Sequence, residues 1–79
     1  MIKLENIQKH NDIISCNAFL EDSVTAVVLK YNTSKDEFET FSLPKGYEWC
    51  SSHITHARQY LKTLNDKADI PKERLIMWC

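Results

Sequence analysis

Apolar and polar residues alternate along the first half of the chain, which is the pattern of strands that bury one face. The segment Ile13 to Leu20 carries Ile14, Cys16, Ala18 and Leu20 on one side. The segment Val24 to Tyr31 is rich in β-branched and aromatic residues on both sides, which predicts a central strand. A third segment, Glu37 to Leu43, precedes a break at Pro44. Short polar turns separate the three segments, so we expect an antiparallel meander.

The spacing of apolar residues changes to three or four after Gly46, which is typical of a helix. Between Trp49 and Asn65 one stripe contains Ile54, Ala57, Leu61 and Leu64. This pattern predicts an amphipathic helix with one side to bury. Ser51 and Ser52 precede the stripe, and their hydroxyls are expected to cap the first free backbone N–H groups.

The two ends of the chain give shorter signals. Met1 to Ile7 alternates at first and then slips out of phase, which predicts a weak strand or an ordered arm. Leu75 to Cys79 is apolar and predicts a short last strand. A helix between two strands of one sheet favours a parallel, right-handed crossover that places the last strand beside the first. The expected fold is a single α+β domain over residues 1–79, of order β-β-β-α-β, with sheet order 3-2-1-4 and the helix on one face.

A single helix leaves the other face of the sheet open. We expect that face to carry some of the following large apolar residues, the exact set depending on strand register: Ile13, Phe19, Val27, Leu29, Tyr31, Phe38 and Trp78. Burying one such side chain stabilises the fold by about 1.5–3 kcal/mol, so we expect another surface to pack against this face. The N-terminal segment could provide it through Ile2, Leu4 and Ile7, and so could a partner protein or a second copy of the chain. An edge strand offers a further docking route by main-chain pairing. The candidate interaction residues are Ile13, Phe19, Tyr31, Phe38 and Trp78.

Composition excludes several classes of protein. Ten basic residues against eleven acidic ones give a net charge of −1, so we do not expect binding to nucleic acid. The chain is 43% hydrophobic but contains no apolar run long enough for a membrane span. Its cysteines number three, which disfavours a disulfide scaffold. We therefore expect a cytoplasmic protein with free thiols and no membrane association.

The only cluster of reactive residue types lies around the start of the helix. Cys50, His53 and His56 are spaced by three and could contribute to a zinc site, the one cofactor considered, although the usual paired ligand signature is absent. Alternatively, the helix N-terminus could activate Cys50 as a thiolate. These readings rank below a non-enzymatic interaction module or small inhibitor, with another protein or a second copy as partner. An enzyme is the third hypothesis, because no nucleophile and base are placed together by spacing.

Overall fold

Five antiparallel strands form one open sheet, and one helix lies over one face of that sheet. The structure is a computed structural model that describes residues 1–78. The strands are β1 (Ile2–His10), β2 (Ile13–Leu20), β3 (Val27–Asn32), β4 (Glu37–Phe38) and β5 (Arg74–Ile76), and the helix is α1 (Ser51–Thr63). The order across the sheet is β4-β3-β2-β1-β5. The predicted α+β class is therefore confirmed.

The N-terminal segment is the longest strand of the sheet, and this corrects the predicted strand order. β1 pairs with β2 on one side and with β5 on the other, both antiparallel. The predicted order 3-2-1-4 is wrong because β1 lies between the meander and the last strand. β5 runs in the same direction as β2, as the crossover argument requires, but it is not the neighbour of β2. The last strand is also shorter than predicted, and Cys79 lies outside the described residues.

A bulge in β1 explains why its apolar pattern slips. The pairs Glu5 with Asn17 and Gln8 with Ser15 leave two residues of β1 opposite the single residue between them on β2. Asn6 lies in this bulge with a φ of 54°, a conformation that asparagine adopts more readily than most residues. The extra residue returns Ile7 to the buried face beside Ile2 and Leu4. The phase slip is thus the sequence signature of the bulge.

The second and third strands of the predicted meander are shorter than expected. β3 begins only at Val27, so Val24 and Ala26 precede it as exposed residues. β4 pairs with β3 only at Tyr31 and Asn32. Phe41 follows β4 and makes an edge contact with Phe38, with ring centroids 5.9 Å apart. The strand expected over Glu37 to Leu43 is therefore reduced to two residues.

The helix buries the predicted stripe, but its start is not capped as predicted. Cys50 occupies the N-cap position, makes no side-chain capping hydrogen bond, and accepts backbone N–H bonds from His53 and Ile54. The N–H of Cys50 donates to the carbonyl of Tyr47 at 3.0 Å, so a tight turn leads directly into the helix. Ser51 is therefore already the first helical residue, and the expected serine caps are wrong.

The core lies between α1 and one face of the sheet. It consists of alternating residues from three strands together with the helix stripe: Ile2, Leu4, Ile7, Ile14, Cys16, Ala18, Leu20, Val27, Leu29, Tyr31, Cys50, Ile54, Ala57, Leu61 and Leu64. Apart from the bulge in β1, these residues alternate along the strands, so the residues between them face the opposite side. Over residues 1–78, no helix combines the length and the apolar character needed to cross a lipid bilayer.

Candidate functional site

The face of the sheet opposite the helix is mostly polar, with an apolar region at one end. Val27, Leu29 and Tyr31, expected on this open face, lie in the core instead. The segment Val24 to Tyr31 is apolar on both faces, so its alternation alone does not show which face meets the helix. The exposed β3 positions are Val28 and Lys30. The N-terminal segment does not cover the open face, because Ile2, Leu4 and Ile7 also point into the core.

A groove of about 480 Å³ lies at the apolar end of this face. Its walls and floor come from Met1, Lys3, Phe19, Val24 and Leu75, together with turn residues 21–23. We refer to this feature as the apolar groove. Val24 and Leu75 are the most exposed of its apolar residues, with 92% and 51% of their surface accessible to solvent.

The strand register builds the apolar groove. Lys3 of β1 pairs with Phe19 of β2 and with Leu75 of β5, so the three side chains form one row across the sheet. Neighbouring strands lie about 4.8 Å apart, which places the two apolar side chains roughly 10 Å from each other. The ammonium of Lys3 is 3.2 Å from the carboxylate of Glu5, two residues further along the same face. The lysine therefore leans along β1, and the space between Phe19 and Leu75 stays open.

Glu21 ties the turn after β2 to the rest of the molecule. Its backbone φ of 50° starts the turn, and its N–H donates to the carbonyl of Met1 at 3.1 Å. The carboxylate accepts hydrogen bonds from the amino group of Met1 and from Nε2 of His53, the latter at 3.0 Å. These two bonds, the first more than the second, lower the pKa of Glu21 below its usual value. The carboxylate is therefore ionised at neutral pH, and one of its oxygens makes both contacts.

The next two residues of the turn are also fixed. The carboxylate of Asp22 accepts a hydrogen bond from the hydroxyl of Tyr47 at 2.7 Å, which raises the pKa of that tyrosine. The N–H of Ser23 donates to the carbonyl of Leu20 at 2.8 Å, and its hydroxyl bonds to the backbone of Thr25. These bonds hold the turn in one conformation, with Val24 at the rim of the groove.

The structure separates the five candidate interaction residues. Phe19 lines the apolar groove, whereas Ile13 is half-buried near the far end of the open face. Tyr31 is only 1% exposed, and Phe38 packs against it at the β4 edge with a centroid distance of 5.8 Å. Trp78 is half-buried against the helix, where it contacts two histidines.

Sequence reasoning missed most of the groove. The composition of the segment predicts a strand from Val24, whereas β3 begins at Val27 and Val24 lies exposed before it. The sequence does indicate an exposed apolar residue near Leu75, because two more apolar residues follow it. In a strand, adjacent side chains point to opposite faces, so a run of three must place at least one on the open face. Met1 and Lys3 were missed because β1 was predicted as a weak strand.

The two histidines at the helix start each contact other side chains within the part of the chain that the structure describes. His53 is buried between Trp49 and Trp78, and its Nε2 is occupied by Glu21. His56 instead stacks on Trp78 with a centroid distance of 4.1 Å. No group of three or more potential ligands converges in this part of the chain.

The pKa of the Cys50 thiol is raised although the residue lies at the N-terminus of the helix. The side chain is fully buried, and burial raises the pKa of its thiol above the ordinary value. The pKa of Cys16 is raised to about 12 for the same reason, and both residues are free thiols. The geometry therefore does not support Cys50 as a reactive thiolate.

The apolar groove is therefore the best-defined candidate site. Each of its charged side chains makes at least one contact within the chain, and the rest of its lining is largely apolar. Comparison of the chain with protein-family models, with curated proteins and with solved structures found no match.

Proposed function

We propose that this protein is a non-enzymatic interaction module that binds apolar side chains of a protein partner in the apolar groove. The observation that carries the proposal is the exposure of Val24 and Leu75 on two walls of a defined groove. Contiguous exposed apolar surface on a small domain is typical of interaction sites.

The state of the charged groups favours binding over catalysis. Lys3 is paired with Glu5, Glu21 with the amino group of Met1 and with His53, and Asp22 with Tyr47. A general acid or base needs a proton that it can exchange with a substrate. Each of these groups is instead held in an internal contact that fixes the groove.

The expected affinity contribution follows from the exposed apolar surface. Fully burying a valine or leucine side chain contributes about 1.5–3 kcal/mol. Val24 is almost fully exposed and Leu75 about half exposed, so a partner that covers both gains roughly 3 kcal/mol from them. Since 1.4 kcal/mol corresponds to a factor of ten, these two residues account for about a hundredfold in affinity.

The test is selection of binding peptides from a random displayed library, with the protein immobilised at low density. We expect enriched peptides to share large apolar residues. The variants V24K and L75K should each weaken binding about tenfold, because each places a charge where an apolar group would be buried. The matched control is V28K, since Val28 is exposed on the same face but outside the groove.

Two results would overturn the proposal. One is a selection that enriches no peptide above background. The other is binding that survives both groove variants unchanged, which would place the peptide elsewhere. Circular dichroism of each variant shows whether a loss of binding reflects a loss of fold.

A further inference from the structure

We infer that the occupant of the apolar groove is a second copy of this chain, packed through the open sheet face about a two-fold axis. This inference rests on the proposed function and names the partner. A two-fold pair uses the same surface on both copies, so that surface must be complementary to itself.

The charges around the groove meet this requirement. Lys3 and Glu5 pair with each other at 3.2 Å beside the groove, but 49% and 40% of their side-chain surfaces stay exposed, so both can still contact a partner. Asp22 stands on the rim of the groove. Positive and negative groups therefore occur within one patch. A two-fold rotation can bring the lysine of one copy towards an acidic group of the other, and the reverse contact then forms by symmetry. A patch of a single sign would instead favour a partner of opposite charge.

The apolar groups extend this patch beyond the groove. Val28 is 55% exposed and is paired with Asn17 in the row next to that of Phe19. Met77 follows the edge strand and is 70% exposed. Val28 therefore extends the apolar region from the groove towards the middle of the open face, where polar positions border it.

The size of the open face fits a pair of sheets. Five strands at about 4.8 Å spacing and a longest strand of nine residues give a face of roughly 19 by 27 Å. A standard interface buries about 800 Å² of each partner. The whole chain exposes 5235 Å², and the side chains of the open face add relief to its projected area of about 500 Å². Two such faces can therefore pack at the usual separation of about 10 Å, with the helices outside.

The experiment is sedimentation equilibrium of the intact protein over concentrations up to about 1 mM, combined with a charge swap. We expect a monomer–dimer equilibrium for the wild type. K3E makes the patch acidic and E5K makes it more basic, so each variant alone should dimerise at least about tenfold more weakly. An equimolar mixture of the two should restore a one-to-one dimer, because opposite charges again face each other. The control is Q59K on the exposed side of α1, which should leave the equilibrium unchanged.

Val28 separates this inference from the proposed function. V28K should weaken the dimer but leave peptide binding in the groove intact. A wild type that stays monomeric up to about 1 mM overturns the second-copy inference, and peptide binding lost on V24K would then still support the module. A dimer that is insensitive to K3E, E5K and V28K uses another surface, which also overturns the inference. If the library yields no groove-dependent peptide as well, both proposals fail.

Discussion

Replacing Tyr31 with phenylalanine removes one hydroxyl that joins the core to the turn before β4. Tyr31 is 1% exposed, and its hydroxyl donates a hydrogen bond to Oδ1 of Asp36 at 2.6 Å. The same carboxylate lies 3.2 Å from Arg58 and 3.5 Å from Lys62 of the helix. Asp36 has a φ of 53° and occupies the turn between β3 and β4. The hydroxyl therefore links the sheet to a carboxylate that also contacts the helix.

The expected loss of stability depends on which contacts of Asp36 remain after the substitution. Hydrogen bonds to charged groups contribute about 1.5–3 kcal/mol. The side chain of Asp36 is 42% exposed, so its carboxylate can regain water and keep its two cationic partners. Phenylalanine fills almost the same volume, so no cavity adds to the cost. We therefore expect Y31F to lower the free energy of unfolding by about 1.5 kcal/mol, near the lower bound. For a domain of this size, that corresponds to a fall in Tm of roughly 6–12 °C.

The same contact predicts that the free energy of unfolding depends on pH. Burial, followed by the hydrogen bond to Asp36, raises the pKa of Tyr31 from 10.0 to about 12. The fold thus favours the neutral phenol. This stabilisation is complete below about pH 10 and is lost as the pH rises through about 12. The stability difference between wild type and Y31F should therefore shrink over that interval.

The assay is urea unfolding followed by circular dichroism at neutral pH and then between about pH 9 and 12. D36N provides the partner change for a double-mutant cycle, in which Y31F should cost less once the acceptor charge is removed. A difference at neutral pH below about 0.3 kcal/mol would refute the reasoning, because it would lie within the error of additivity. A difference that stays constant up to pH 12 would refute the pKa argument.

Two other changes test the bulge and the buried thiol. N6V should lower the free energy of unfolding in urea by about 1–2 kcal/mol, because a β-branched residue resists a φ of 54°. N6G should be nearly neutral, and equal losses for the two variants would exclude backbone conformation as the cause. Cys50 should be alkylated by iodoacetamide much more slowly in the native protein than in denaturant at pH 8, as followed by peptide mass spectrometry. Rapid native labelling at Cys50 would contradict its burial.

The fold class and the helix could be predicted because both depend on long periodic segments. The stripe from Ile54 to Leu64 and the alternation from Ile14 to Leu20 each repeat over several residues, and the structure buries both. The strand order could not be predicted, because it depends on β1. Its alternation is interrupted at Asn6, and a local pattern does not distinguish a bulge from the end of a strand.

The groove was less predictable than the core because it depends on register. Phe19, Lys3 and Leu75 are far apart in sequence and meet only through the pairing of β1 with both β2 and β5. A strand pattern states which residues share a face, but the residues across the row come from pairing alone. The sequence therefore shows that the strands carry more apolar residues than one helix covers, but it does not show where on the sheet these residues come together.

One wall of the groove belongs to a short edge strand of the sheet, which determines how a bound partner would affect stability. Leu75 belongs to a three-residue strand that pairs with the sheet on one side only. One further backbone bond, from the N–H of Ile7 to the carbonyl of Lys72 at 2.8 Å, anchors the chain just before it. Elements with few pairings open first in native proteins. A partner that covers Leu75 binds only the state in which β5 is paired, so its binding energy adds to the stability of that strand. Binding of a partner in the groove and pairing of β5 with β1 are therefore coupled, and each favours the other.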